Sequence, residues 1–287
     1  MNSIHLTREY TKIWNCKGYK PLEILDSNGN LIVSGRILYK FGAPYKTIIG
    51  GLGGSGILDY SEGIIKEVLK KSKGQVLIYD FQEQPILEKF GFKRYDDWTF
   101  IVDISDRDKL WEKLDKKNRN DIRNATRFNI EFEEIKSVEE LKKLYSLFRE
   151  QAKRWNFRIP HQDYFENVWN YMVTKNMAKF FIIKYQNEMI SIAQIFVFGN
   201  EISMPTWGTS NKAREIRGAN NYLIWKILEW GNKCGYKKFN FWGTDPDPNS
   251  PLYGIHKFKE SFGGELVKVY RYEKNSFIYN LAKSLIR

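Results

Sequence analysis

The chain has 287 residues, of which 42% are hydrophobic and 16% aromatic, enough apolar side chain to build a core, so a disordered protein is excluded. Lys and Arg (46) outnumber Asp and Glu (34), giving a net charge of +12 that favours nucleic acid, nucleotides or anionic lipid without choosing among them. Cys16 and Cys234 stand too far apart for a disulfide framework or a zinc spacing, no apolar run approaches the ~18 residues of a membrane span, and the polar start "MNSIHLTREYTK" lacks a signal-peptide core, so the expectation is a cytoplasmic protein.

In chain order, "PLEILD" and "LIVSGRILYK" read as strands joined by the turn "SNGN", because Asn-Gly between apolar runs is a hairpin signal. "KTIIGG" is a further strand. "YSEGIIKEVLKKSKG" reads as a helix with Ile64, Ile65, Val68 and Leu69 on one side and Gly74 past its end. "QVLIYDF" is a buried strand, "QPILEKFGF" a short helix and "WTFIVDI" a strand. The segment "SDRDKLWEKLDKKNRNDIRNATRFN" predicts one helix with a capping-box-like start at Ser105 and Asp108. Trp111, Leu114, Ile122 and Ala125 share one face, and Lys116, Arg119, Arg123 and Arg127 crowd the opposite arc. That arc is either a solvated face or a stripe for phosphates.

Beyond residue 177 come three strands with turns at Gln186-Asn187 and Gly199-Asn200. A helix over "ANNYLIWKILEWGNKCGY" follows, then the strand "KKFNFWG", the short helix "YGIHKFKESFGG" and the strand "ELVKVYRYE". Both halves therefore run helix, Gly stop, strand, short helix, Phe-Gly, strand, which implies two domains of similar fold. A meander leading into that series is the order of acetyltransferase-type (GNAT-like) domains. The expected class is α/β with mixed α+β sheets, in two tandem GNAT-like acyltransferase domains joined by a basic helix. The boundaries expected are 1–104, a linking helix 105–128, and 129–273, with a C-terminal helix 274–287 packing back on the first domain.

"GLGGSG" (51–56) matches G-x-G-x-x-G, yet the next helix begins near Ser61, too late to hold a dinucleotide, and no Lys-Ser/Thr follows for a P-loop. It is expected to be a flexible turn lining a cleft. Acetyltransferases that bind coenzyme A cradle its pyrophosphate in a Gln/Arg-x-x-Gly-x-Gly/Ala turn at a helix start. Here the place reads "REIRGANN", and Glu215 would set negative charge where an anion should bind, which disfavours coenzyme A. His5, His161 and His256 form no metal spacing. "GTDPDPNSP" is a rigid turn or a polar lip carrying Asp245 and Asp247.

Taken together, the motifs resemble the Fem-type (FemABX) aminoacyl-tRNA-dependent transferases that build peptidoglycan cross-bridges. "IIGGLGG" looks like the family's Gly-rich strand end. "LWEKLDKKNRNDIRNATRFNIEFEE" looks like its linker helix. "WGTSN…REIRGANNYLIW…FNFWG" is similar to its core, and "SPLYGIHKFKESFGGELV" is close to its ending. Asn240 and Trp207 stand where the family often has Asp and Tyr, and the family's coiled-coil arm is lacking.

The resemblance implies a non-ribosomal peptide-bond-forming aminoacyltransferase, with aminoacyl-tRNA as co-substrate, no cofactor and no metal. The acceptor would be a nucleotide- or lipid-linked muropeptide precursor, and peripheral contact with the inner membrane face is left open. It makes Lys259 and Phe258 the candidate catalytic pair, Lys259 as a cation for the oxyanion or the terminal phosphate and Phe258 as a stacking platform for the terminal adenine. Arg217, Arg214, Trp207, Thr209, Tyr222, Tyr253, Arg36 and Lys40 become candidates for substrate binding. Lys116, Arg119, Arg123 and Arg127 become candidates for tRNA phosphates. An N-acyltransferase dependent on coenzyme A or a carrier, and a non-catalytic RNA- or glycan-binding protein, remain the alternatives.

Overall fold

The computed structural model describes residues 3–275, arranged as two compact units. The first runs from the described N-terminus to Trp98, takes in Asp163–Met172 and resumes at Lys268; the second comprises Thr99–Gln162 and Val173–Val267.

After one 3-10 turn over Ile4–Leu6, the first unit continues with α1 (Arg8–Lys12), capped by Thr7 Oγ1 on the Tyr10 amide. Strands β1 (Tyr19–Leu25) and β2 (Leu31–Lys40) form the hairpin that Asn-Gly predicts. Asp26 Oδ1 accepts the amides of Asn28 and Asn30 at 2.8 Å each, and Gly29 takes φ +80°. β3 (Ala43–Ile49) pairs antiparallel with β2. β4 (Gln75–Asp80) lies parallel to β3, which needs a crossover, and α2 (Glu62–Lys71) supplies it with Ile65 and Val68 buried. The short helix α3 (Pro85–Lys89) and β5 (Lys93–Asp103) follow.

Residues 105–128, expected as one helix, form two, α4 (Arg107–Lys113) and α5 (Lys116–Thr126). Leu114 turns to ψ 142° between them. The cap is Asp106, whose carboxylate accepts the amides of Asp108 and Lys109, while Ser105 bonds back to Asp103. Both helices count with the second unit. β6 (Glu131–Glu134) and the amphipathic α6 (Val138–Trp155) come next. Helix α7 (Gln162–Tyr171) returns to the first unit, where Tyr164 packs on Trp14 at 4.7 Å and Asp163 accepts the Lys17 amide.

β7 (Ala178–Tyr185), β8 (Glu188–Phe198) and β9 (Glu201–Thr209) form the expected meander, with Gln186, Asn187 and Gly199 at positive φ in its turns. α8 (Asn211–Glu215) and α9 (Ala219–Lys233) cross to β10 (Lys238–Thr244), which is parallel to β9. α10 (Tyr253–Glu260) and β11 (Glu265–Asn275) complete the series. Strand order brings β11 beside β4 and β5 beside β10, so each repeat's last strand pairs with the other repeat's penultimate one. Residues 274 and 275 are strand; the rest of the helix expected over 274–287 lies outside the described residues.

Each unit has its own core. Leu22, Val33, Ile49, Ile78 and Tyr272 centre the first, and Ile195, Leu223, Ile227, Phe239, Phe241 and Phe262 the second. The loop 51–56 is tightly packed rather than flexible: a Cβ on Gly56 would stand 2.3 Å from the Gly50 nitrogen and 2.4 Å from the Ser34 oxygen.

Candidate functional site

β9 and β10 keep parallel register only from Glu201–Ser203 against Lys238–Asn240, and beyond that no register is kept. Two local features shape the site above this point. The first is Gly208, near the end of β9. A Cβ there would stand 2.6 Å from Leu147 C and Phe148 N, so only glycine lets the α6 backbone come this close. That approach sets Gln151, Arg154 and Trp155 of α6 beside Thr209. The second is Trp242 on β10, a bulky residue at φ +58°. Its amide donates to Asn240 Oδ1 at 2.8 Å, and Thr99 Oγ1 lies 2.8 Å from the same oxygen and 2.9 Å from Trp242 O.

A cavity of about 390 Å³ opens in the second unit, and all its lining residues belong to that unit. α6 contributes Gln151, Arg154 and Trp155; β9 contributes Trp207 and Thr209; α8 contributes Arg214. Asn220 from α9 and Gly254, Ile255 and Phe258 from α10 complete the wall. Arg154 is held by Gln151 Oε1 at 3.0 Å, Asn211 Oδ1 at 3.2 Å and the Thr209 carbonyl. Burial, and then the Arg214 guanidinium, lower its pKa. Asn220 Oδ1 accepts from Thr209 Oγ1 at 3.0 Å and Ser191 Oγ at 3.1 Å, which leaves its Nδ2 as a donor. None of the lining residues is a carboxylate or a histidine.

Phe258 faces Trp207 with ring centroids 6.4 Å apart and planes 27° from parallel. Lys259, the next residue, is 3% exposed and does not line the cavity. Its Nζ donates to the carbonyls of Phe241 (2.9 Å), Trp242 (3.4 Å) and Gly243, and stands 5.8 Å from the Trp207 ring centroid. Burial pulls its pKa down to about 7, and the three carbonyl acceptors oppose that pull by favouring the ammonium.

Of the sequence candidates, the cavity brings together Phe258, Trp207, Thr209 and Arg214, with Lys259 behind Trp207. Others have different engagements. Arg217 pairs with Asp121 at 2.7 Å, Tyr222 Oη donates to the Ile130 carbonyl at 3.3 Å, and Tyr253 stacks on His256 at 5.6 Å. Arg119 turns its Nη1 back onto the end of α4, donating to the carbonyls of Trp111, Glu112 and Leu114. Lys116, Arg123 and Arg127 are exposed, with Arg123 over the Trp111 ring. In the first unit, Arg36 lies over the Trp14 ring at 4.2 Å and Lys40 over the Phe41 ring at 5.4 Å. Asp245 and Asp247 accept the amides two residues on, as turn residues do.

Sequence reasoning missed Gln151, Arg154 and Trp155. The signal was present: Leu141, Leu144, Phe148 and Ala152 recur at helical spacing, and basic and aromatic residues alternate in "KRWNFR" just past them.

The fold is that of tandem acetyltransferase-like domains. The chain is similar to FemX (17% identity, 98% of this chain and 94% of that one, TM-score 0.71). It is also similar to L-PGS from Bacillus licheniformis (18%, 93% and 87%, 0.63) and to a tandem GNAT protein from the clavulanic acid biosynthesis pathway (10%, 91% and 85%, 0.56). Within the sequence, residues 85–180 match the FemAB family. Match and fold together support the Fem-type reading. No curated protein matches the sequence.

Proposed function

We propose that the protein is an aminoacyltransferase that moves an amino acid from an aminoacyl-tRNA to an amine of a cell-wall peptide precursor. The observation that carries this reading is the cavity wall, where two guanidiniums, Arg154 and Arg214, adjoin the Trp207–Phe258 aromatic pair with no acidic lining residue. Such a wall suits the 3′ end of a tRNA, with the arginines on phosphate and the rings against the terminal base. An aminoacyl ester is already activated, so the protein's task is to align the amine with the ester carbonyl and stabilise the oxyanion. Asn220 Nδ2 is a candidate donor for that oxygen. Lys259 acts from behind Trp207, fixing the turned end of β10 on which the site is built.

The start of α9 weighs against coenzyme A. Gly218 lies so close to α5 that a Cβ would stand 2.0 Å from Asp121 O, and the Asp121 carboxylate already pairs with Arg217 beside that helix start. A pyrophosphate placed there would meet a carboxylate. The test is to supply labelled aminoacyl-tRNA and muropeptide acceptors to the purified protein, with acetyl-CoA in parallel. Transfer from the tRNA is expected; transfer from acetyl-CoA alone would replace this reading with the coenzyme A one.

A further inference from the structure

Phe41 is 97% exposed at the tip of the β2–β3 hairpin, far above any other large apolar side chain among the described residues. It and Gly42 take φ +53° and +81°, the signature of a tight two-residue hairpin turn in which Asn, Asp or Gly is favoured. A bulky side chain there is conformationally disfavoured. The chain thus places an aromatic ring in water, on a strained turn, where Asn would be favoured.

The surroundings of this ring are cationic. Lys40 Nζ lies 5.4 Å from the Phe41 ring centroid, and Lys20 Nζ lies 5.5 Å from that of Tyr39, one residue before Lys40. The Tyr39 amide donates to the Gly18 carbonyl at 2.9 Å, which brings exposed Lys17 and Lys20 to this end of the sheet. Pro44 and Tyr45 continue the apolar character on the β3 side.

We propose that this hairpin tip docks on an anionic lipid surface, inserting Phe41 among the headgroups while Lys17, Lys20 and Lys40 meet the lipid phosphates. One projecting ring with interfacial tyrosines and long lysines around it suits a bilayer boundary, where the ring leaves water and the lysines keep their charge at the headgroups. RNA would call for a broad aromatic platform on which successive bases stack, and one ring projecting from a two-residue turn does not form one. The inference stands on the first unit alone and does not depend on the aminoacyltransferase reading.

The test is co-sedimentation of the full chain with vesicles of phosphatidylglycerol and phosphatidylcholine in equal parts, and with vesicles of phosphatidylcholine alone. Binding to the anionic vesicles only is expected, weakening as salt rises. Phe41→Asn should lower the partition coefficient about tenfold, from the ring's lost burial, while melting no lower than the parent, since Asn suits the turn. Lys20→Glu with Lys40→Glu should abolish binding. The proposal is overturned if the parent ignores anionic vesicles, if it binds neutral ones equally, if Phe41→Asn partitions as the parent does, or if that variant loses affinity only for an RNA hairpin.

Discussion

Lys259 Nζ lies 2.9 Å from the Phe241 carbonyl oxygen, one of three main-chain acceptors that this buried ammonium gathers at the end of β10. A cation so placed positions the turned Trp242 segment and supports Trp207 from behind. Replacing Lys259 with Met keeps the bulk and removes the clamp. The expected losses are about 2–4 kcal/mol of stability and at least about a hundredfold in kcat, with KM for the tRNA donor changed far less. Turnover is to be measured at a temperature where calorimetry shows the variant folded. Normal kcat in a destabilised variant would reduce Lys259 to a structural clamp.

Arg214 and Arg217 lie three residues apart but have separate roles. Arg214 is exposed on the cavity wall, and Arg217 is bound to Asp121. Arg214→Ala should raise KM for aminoacyl-tRNA about tenfold, one charge-assisted phosphate contact, with Tm unchanged. Arg217→Ala should cost about 1 kcal/mol of stability, since the Arg side is mostly exposed, with KM near normal. Steady-state kinetics and thermal melts on both variants separate the two roles, and a KM effect at Arg217 would contradict the assignment.

Gly208→Ala should disrupt the site without touching a polar group. The added methyl meets the α6 backbone at 2.6 Å, so α6 must move. A loss of about 2–3 kcal/mol is expected, together with weaker donor binding, because Gln151, Arg154 and Trp155 move with the helix. Urea unfolding checks the first and a binding isotherm the second; a parent-like midpoint would mean that α6 sits further from β9.

These variants also mark what could be read in advance. β2, β7, β8 and β9 were legible because short apolar runs bounded by Asn-Gly, Gln-Asn or Gly-Asn turns are local signals. The repeat and the motif around Phe258 were legible through spacing. The exchange of β5 and β11, and the return of α7 to the first unit, are long-range pairings with no local marker. Arg119 read as part of a phosphate stripe because a helical wheel cannot show that Leu114 breaks the helix and exposes carbonyls for Arg119 to cap.

His5 gives a pH dependence confined to the first unit. It is fully buried against Tyr10, and burial, reinforced by Arg36, lowers its pKa to about 3. The unfolded chain takes up the proton near its ordinary value of about 6.5. The folded chain does so only near 3, so this contribution is fully present above about 6.5 and is lost as pH falls between the two. The slope from this group is about 1.4 kcal/mol per pH unit. Urea titrations at several pH values should show a shallower acid limb for His5→Gln than for the parent. Equal slopes would mean that His5 is accessible to protons.

The most direct test of the central claim is the affinity of the second-unit cavity for a stable 3′-aminoacylamino-adenosine oligonucleotide ending in CCA, measured by calorimetry on the parent and on Trp207→Ala, Phe258→Ala and Arg214→Ala. The account predicts binding by the parent, weakened about tenfold or more in each variant, and no displacement by coenzyme A. Equal affinity in all four proteins, or displacement by coenzyme A, would contradict it.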